Sequence, residues 1–481
     1  MTELAVRRRA SAPTRRSRDS DLWWLAAAVG ASALLVGFLV TVSLQAAFAL
    51  VLLVAVVALY VHDRRYGIAA LFALWFIAPG LRRVLGAAVG FAENDPLSIA
   101  PFLATAAIAG IELSRARLPG HIQRVLLLAA AGFAIGLPVG LAAAPQAAVY
   151  AFGAYLAGVS GAVLGARERP LLEDSTLRKV LLYGVLPVAA YALVQRVFDP
   201  PSWDQAWLDT TDIVSIGANE NGKVRVFSTL NSPGALAPLL TLSLLCYLTV
   251  KRPRPITIAG ATIVVVALSL TFVRSAWVAL IIGGLAHMVA SRGQSARVVL
   301  GSTAVLVAIT LALSPVSATA HAVVDRFKTI SNRSDDSSAE NRSANVSRSL
   351  PAAAVAPLGH GLGTAGEPAR LSEDQKLRIP DNGYLSLIHQ VGPVGFLMVL
   401  AAIAAVMRAA WEGARSRAPG QDLRVLVFAM LVALLVQLYA GDSFYGSHGV
   451  IFWFLGGQAL SAAARLRSTP RTGVGPSSAS A

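Results

Sequence analysis

The chain has 481 residues, of which 55% are hydrophobic and only 14% are charged, and its mean hydropathy is +0.62. Soluble domains carry roughly 25% charged residues, so this composition excludes an ordinary soluble protein and indicates a chain embedded in lipid. The formal charge of +15 does not indicate nucleic-acid binding, because the basic residues lie in short clusters between apolar runs. The one cysteine, Cys246, excludes an intrachain disulfide.

Apolar runs long enough to cross a hydrocarbon core recur along the chain. Each must form a helix, because an open sheet edge would leave unpaired peptide groups in lipid. We predict an all-α polytopic membrane protein with about 12–14 transmembrane helices and two long periplasmic loops. The run 66–81 is short and ends in Arg82-Arg83, so a re-entrant or interfacial segment is the alternative there. The predicted spans are 22–42, 45–61, 66–81, 96–112, 124–142, 146–165, 178–197, 233–250, 256–273, 275–291, 297–314, 383–407, 425–440 and 447–464.

Basic residues predict the orientation of these spans. With the N-terminus inside, the inner segments hold 27 of the 41 lysines and arginines, and 8 of the 14 outer ones fall in one long loop where the positive-inside rule does not apply. Both termini are therefore predicted to be cytoplasmic. The predicted domains are a basic cytoplasmic tail (1–21), N-terminal transmembrane helices (22–197), a periplasmic loop (198–232), transmembrane helices (233–314), a large periplasmic loop (315–382), C-terminal transmembrane helices (383–464) and a disordered cytoplasmic tail (465–481).

Ionisable residues are nearly absent from the helix centres, where His287 and His389 are the main candidates. Ion-coupled transporters place charged residues at the midplane, whereas the polar and charged residues of this chain gather toward the outer helix ends. That location suits chemistry on a lipid-linked substrate whose headgroup lies outside. For both histidines, the alternative is a buried, hydrogen-bonded helix residue.

Two arginines stand at predicted outer helix ends. Arg225 precedes the helix start 231–234, whose free N–H groups and dipole favour an anion, and its guanidinium fork suits phosphate. Arg274 lies between two apolar runs with no room for a loop. An ordinary interfacial arginine is the alternative at each position, but two arginines facing the same compartment favour a shared diphosphate site.

The second long loop ends in a glycine-rich segment and a polar helix start. A loop turn is the simplest interpretation of Gly361 and Gly363. Asp381 stands just before an apolar helix, where it could cap the helix or accept a proton from a sugar hydroxyl. Asp335-Asp336 could chelate a divalent cation, but these residues lie in a Ser- and Asn-rich stretch, and we predict neither a metal nor a cofactor.

Taken in order, these segments resemble the O-antigen ligase and polymerase superfamily of bacterial membrane glycosyltransferases. In ligases of this superfamily, His typically occupies the position of Asp381, directly before Asn382, so Asp381 favours a polymerase. The matching positions are Arg225, Phe227, Asn231 and Pro233; Arg274 to Trp277; Gly361 and Gly363 with Arg348 upstream; and Asp381-Asn382 followed, after nine residues, by Gly392 and Gly395.

The resemblance implies a glycosyltransferase that moves a glycan from an undecaprenyl-diphosphate carrier to an acceptor hydroxyl. It implies a multi-pass protein of the bacterial inner membrane with a periplasmic active face. Arg225 and Arg274 would neutralise the leaving diphosphate, and Asp381 would activate the attacking hydroxyl; these three are the predicted catalytic residues. The predicted substrate-binding residues are Arg225, Arg274, Arg348, Gly361, Gly363, Asn382 and Tyr384.

The expected partners are the undecaprenyl-diphosphate-linked oligosaccharide, a glycan or lipid-linked acceptor, the lipid bilayer and other polysaccharide-assembly membrane proteins, but no nucleic acid. A polymerase of O-antigen or exopolysaccharide is the preferred function. An O-antigen ligase of the same family is one alternative, and a transporter or flippase for a lipid-linked glycan is another. A flippase should line a cavity with charge through the membrane, a pattern that the sequence lacks.

Overall fold

The structure is a computed structural model, which describes residues 43–91, 95–168, 175–198, 200–210, 216, 225–292, 356–371, 382–441 and 444–468. The predicted spans 22–42 and 297–314 lie outside the described residues. So do Asp335-Asp336, Arg348 and Asp381. Every regular element of the described residues is a helix.

The helices follow one another with short connections. They are α1 Leu44–His62, α2 Arg64–Val89, α3 Pro96–Arg115, α4 Gly120–Ile135, α5 Leu137–Ala143, α6 Pro145–Arg167, α7 Thr176–Lys179, α8 Val185–Val197, α9 Ser202–Leu208, α10 Pro233–Leu248, α11 Pro255–Leu270, α12 Arg274–Ala290, α13 Gly383–Arg415, α14 Gln421–Leu438 and α15 Gly446–Ser468. A π-helical turn, Val180–Gly184, joins α7 to α8, and a 3₁₀ turn, Glu367–Leu371, precedes α13.

Within the described ranges, nine helical segments are long and apolar enough to cross a membrane. The predicted all-α polytopic fold class is confirmed. The weakest predicted span, 66–81, lies within α2, a continuous helix of 26 residues. Three further apolar helices are shorter: α10 and α11 have 16 residues each and α12 has 17.

Small residues let α6 pack closely against α15. Of the nine segments, α15 is the most deeply buried in the protein. Gly161 and Gly165 lie one turn apart on α6. A Cβ atom added to Gly165 would lie 1.8 Å from the carbonyl oxygen of Phe454, and one added to Gly161 would lie 2.8 Å from that of Val450. Close backbone packing of this kind drives helix association in lipid, where the hydrophobic effect between helices is absent.

The described candidate site residues collect at one end of the bundle because successive helices alternate in direction. We name this end the Arg225 face; α2, α8 and α11 end there, and α10, α12 and α13 begin there. Hydrogen bonds connect this end of the bundle to neighbouring helices. Thr229 Oγ1 donates to the Phe76 carbonyl at 2.6 Å, and the Tyr384 hydroxyl donates to the Leu435 carbonyl at 2.9 Å.

At the opposite end, Glu112 joins the ends of four helices. Its side chain accepts a hydrogen bond from the Tyr60 hydroxyl at 2.6 Å. Three arginines lie within ion-pair distance of the same carboxylate, at 3.5 to 3.9 Å: Arg64, Arg115 and Arg167. This arginine-rich end is the one that the charge pattern predicts to be cytoplasmic.

Candidate functional site

Arg225 and Arg274 meet at the turn between α11 and α12. The Arg225 side chain donates from Nε to the Thr271 carbonyl and from Nη2 to the Phe272 carbonyl, each at 2.9 Å. Arg274 is the first residue of α12, two positions beyond Phe272. Both arginines are half-buried. The two arginines that the sequence singles out are therefore attached to the same turn on the Arg225 face.

The turn itself is tight, because only three residues separate α11 from α12. Phe272 has a φ of +53°, a left-handed conformation that is uncommon for a residue other than glycine. The hydrogen bonds from Arg225 hold the Thr271 and Phe272 carbonyls, which lie on either side of the strained Cα atom of Phe272. They also give Arg225 a structural role, because a cation is favourable at the C-terminal end of a helix.

Arg225 begins a buried, non-helical segment, 225–232, that leads into α10. Val226, Phe227 and Ser228 are each at most 1% exposed. Ser232 caps α10, since its side chain accepts a hydrogen bond from the Ala235 N–H at 3.1 Å, and Pro233 occupies the first turn. The helix start thus has the Ser-Pro arrangement expected from the sequence.

Arg83 of α2 is enclosed by this segment. Its Nε donates to Asp204 Oδ1 at 2.7 Å. Its Nη1 donates to the Leu230 carbonyl at 3.1 Å and to Asn231 Oδ1 at 3.0 Å, and its Nη2 donates to the Ser228 carbonyl. The Arg83 side chain is 1% exposed and Asp204 is 0% exposed, so this ion pair is fully buried.

Aromatic rings and a glutamine complete the enclosure. The guanidinium carbon of Arg83 lies 5.4 Å from the Trp207 ring centre and 4.9 Å from the Phe227 ring centre, within the range of cation–π attraction. Gln195 of α8 donates to Asp204 Oδ2 at 2.6 Å and accepts from the Ser228 N–H at 2.7 Å. Carbonyl groups and an N–H group of segment 225–232 are therefore both hydrogen-bonded to side chains.

Gly361 and Gly363 lie deep in the fold rather than on an open loop. Their φ angles are +110° and +85°. A Cβ atom on Gly361 would lie 2.7 Å from the backbone of Gly140, and one on Gly363 would lie 2.5 Å from the carbonyl group of Ala147. Only glycine fits such a left-handed, close-packed backbone. The glycine-rich segment 359–363 therefore acts as a wedge between α5, α6 and α13.

Of the motif's other glycine pair, Gly392 packs against this wedge and Gly395 packs against Gly132 of α4. Gly392 interrupts α13 with a φ of +67°, and a Cβ atom there would lie 2.4 Å from the Gly359 nitrogen. Gln390 reinforces the contact, because its Oε1 accepts from the Gly363 N–H at 2.9 Å and its Nε2 donates to Ser386 at 3.0 Å. Glycines that are far apart in sequence are thus packing partners.

The cap of α13 is Asn382. Its side-chain oxygen accepts hydrogen bonds from the backbone N–H groups of Tyr384 at 3.0 Å and Leu385 at 3.2 Å. Asn382 is 4% exposed, and Tyr384, beside it, is half-buried. The capping role that the sequence left open for Asp381 is therefore filled by its neighbour.

The two helix histidines are both buried, at 7% exposure for His287 and 8% for His389. Among the described residues, His287 Nδ1 and His389 Nε2 have no hydrogen-bond partner. The His389 ring stacks on that of His360, with centres 4.3 Å apart. The two rings join the glycine-rich wedge to α13.

Sequence reasoning missed the residues that hold this site together: Arg83, Asp204, Gln195 and Gln390. The available signal was Arg82-Arg83 at the end of an apolar helix, on a side otherwise poor in charge. The partner of Arg83 is 121 residues away in the chain, and no spacing rule connects the two.

The fold and the site define a polytopic helical membrane protein with a pair of arginines at the helix ends of one face. A family model described as "O-Antigen ligase" matches residues 259–400. This match confirms the resemblance to the O-antigen ligase and polymerase superfamily, and it supports a membrane enzyme of that type. The matched range contains Arg274 and both glycine pairs, whereas Arg225 lies ahead of it. No curated protein matches the chain.

Proposed function

We propose that the protein is a membrane glycosyltransferase that transfers a glycan from an undecaprenyl-diphosphate carrier to an acceptor hydroxyl at the periplasmic face of the bacterial inner membrane. The preferred role is polymerisation of O-antigen or exopolysaccharide repeat units. The observation that carries the proposal is the attachment of Arg225 to the turn that begins at Thr271 and ends at Arg274.

Two arginines attached to one turn suit a diphosphate. A guanidinium carries five N–H donors in a plane, so Arg225 can hold the two turn carbonyls while its charge stays at the proposed diphosphate site; a lysine ammonium lacks this planar geometry. Negative charge grows on the diphosphate as its bond to the anomeric carbon breaks, and fixed cations stabilise that charge in the transition state. A carrier diphosphate is already a leaving group, so the reaction requires no nucleotide.

Asp381 is the proposed base, and it precedes the cap residue of α13. Because Asn382 supplies the two cap hydrogen bonds, the Asp381 carboxylate is not needed for that purpose. In the proposed step the acceptor oxygen bonds to the anomeric carbon, its proton passes to Asp381, and the undecaprenyl diphosphate leaves. General base catalysis of this kind contributes about 10²–10⁴-fold.

The decisive experiment replaces Arg225 and Arg274 singly by lysine. Each variant should lose at least about tenfold in turnover of purified lipid-linked repeat units, because the charge remains but the fork is lost. Arg196→Lys, near the end of α8, is the matched control and should retain wild-type turnover. Glycan chain lengths on gels give the measurement, and membrane levels of each variant are compared by immunoblot.

Normal turnover and chain lengths from both lysine variants would show that the arginines only anchor the helix ends, and the proposal would fail. Deletion of the gene separates polymerase from ligase. Loss of polymerase activity leaves single repeat units on the acceptor, whereas loss of a ligase leaves completed glycan on the lipid carrier.

A further inference from the structure

We propose that Arg83 is a positioning residue, which fixes segment 225–232 and acts on glycan transfer through Arg225 without touching the substrate. The inference rests on the proposed function, because it assigns Arg225 a role at the diphosphate. It adds a residue on α2, far from the range matched by the family model, to the machinery of the site.

Arg83 has no surface left for a ligand. Its side chain is 1% exposed, and its three nitrogens donate to Asp204, to Asn231 and to backbone carbonyls of the segment. The rings of Trp207 and Phe227 lie within cation–π distance of the guanidinium. An arginine that binds a diphosphate must be reachable from the membrane surface; Arg225 and Arg274 are half-buried, whereas Arg83 is fully enclosed by the protein.

The segment needs this support because it is not helical. Unwound backbone at membrane depth is tolerated only where the protein supplies its hydrogen bonds. Arg83 supplies donors to the carbonyls of Ser228 and Leu230, and Gln195 supplies an acceptor to the Ser228 N–H. Ser228 has a φ of +55°, a conformation that persists only when its surroundings determine it.

Ser228 lies only three residues after Arg225, so a fixed Ser228 restricts where Arg225 can lie. Val226 and Phe227 between them are 1% and 0% exposed, so neither can move freely. The Arg225 N–H donates to the Ile216 carbonyl at 2.8 Å, and its side chain reaches the α11–α12 turn. A shift of the segment would therefore move the Arg225 guanidinium relative to Arg274.

A buried ion pair is weak evidence for stability, because desolvation of the two charges offsets their attraction. The value of the Arg83–Asp204 pair lies instead in fixing one backbone geometry. This gives a test that separates positioning from folding. If Arg83 acts through Arg225, its substitution should matter only while Arg225 is present.

The experiment is a double-mutant cycle on the full-length protein in nanodiscs, with radiolabelled undecaprenyl-diphosphate repeat units as donor. Arg83→Lys should lower kcat per folded molecule about 10- to 100-fold, since a misplacement of about 1 Å can reduce a rate about 100-fold. In the Arg225→Ala background the same change should lower kcat by less than about threefold, because coupled residues are non-additive. KM for the donor, measured alongside, should change less than kcat.

The matched control is Arg82→Lys, the neighbouring arginine of α2, which pairs with Asp95 at 3.4 Å; it should behave as wild type. Gln195→Ala tests the same inference from the other side of the segment, in case Arg83→Lys fails to fold. It should also lower kcat, and it should lose that effect in the Arg225→Ala background.

Additive losses from Arg83 and Arg225 would overturn the inference. So would an Arg83→Lys variant with reduced folded yield but unchanged kcat per folded molecule, which would indicate a purely structural role. Failure of the proposed function is distinguishable, because the wild-type protein would then show no turnover of the labelled donor, or Arg225→Ala alone would retain wild-type turnover.

Discussion

Gly363→Ala tests whether the glycine-rich segment is a packing wedge or a surface that contacts the substrate. The φ of +85° at this position disfavours an L-residue by about 1–2 kcal/mol. The added methyl group would also lie 2.5 Å from the Ala147 carbonyl group, and overpacking of this kind costs about 1–3 kcal/mol. Together the two effects predict a loss of about 2–5 kcal/mol of stability.

The assay is the thermal unfolding of purified protein in detergent, followed by tryptophan fluorescence. Gly363→Ala should lower the unfolding temperature by several degrees. Gly110→Ala is the control, because Gly110 lies in α3, has no atom within 4 Å of an added Cβ, and should be slightly stabilised by alanine. A Gly363→Ala variant with unchanged unfolding temperature but impaired donor binding would refute the wedge and favour direct contact with the substrate.

Three further predictions concern the base, the topology and the bundle. Asp381→Asn should insert normally and lose about 10²–10⁴-fold in turnover, measured with purified lipid-linked repeat units; a wild-type rate would exclude the carboxylate as base. Reporter fusions in Ser331–Ser349 should read as periplasmic and fusions at Arg252 as cytoplasmic, and the reverse pattern would contradict the proposed active face. Gly165→Leu should abolish folded protein in size-exclusion profiles, because its side chain would overlap the Phe454 carbonyl; a normal profile would mean that α6 and α15 can separate.

The sequence was sufficient for the features that depend on local patterns. Apolar run lengths predicted the helices, and the Ser232-Pro233 pair predicted how α10 begins. Arg225 and Arg274 were identified by their charge at helix ends. These signals are local because lipid forces each span to satisfy its own backbone.

Features that depend on tertiary contacts could not be predicted. From the sequence, Arg83 only made the span 66–81 look too short and too charged to cross the membrane. Its pairing with Asp204 could not be predicted, because Asp204 lies on a separate helix. Gly361 and Gly363 looked like an ordinary turn, since their close approach to α5 and α6 depends on the packing of the whole bundle. Asn382, and not Asp381, caps α13. The sequence could not distinguish them, because aspartate and asparagine cap helices equally well and the backbone geometry decides.

The short helices α11 and α12, which carry exposed apolar side chains, have a consequence for the surrounding lipid. At 1.5 Å per residue they span only about 24–26 Å, less than the roughly 30 Å of a typical hydrocarbon core. The resulting hydrophobic mismatch is relieved when the bilayer thins beside them. Under the proposed function, the polyprenyl carrier would meet Arg225 and Arg274 where the membrane is thinnest, and its diphosphate would not need to rise to full headgroup height. Turnover in vesicles should accordingly increase as the acyl chains are shortened.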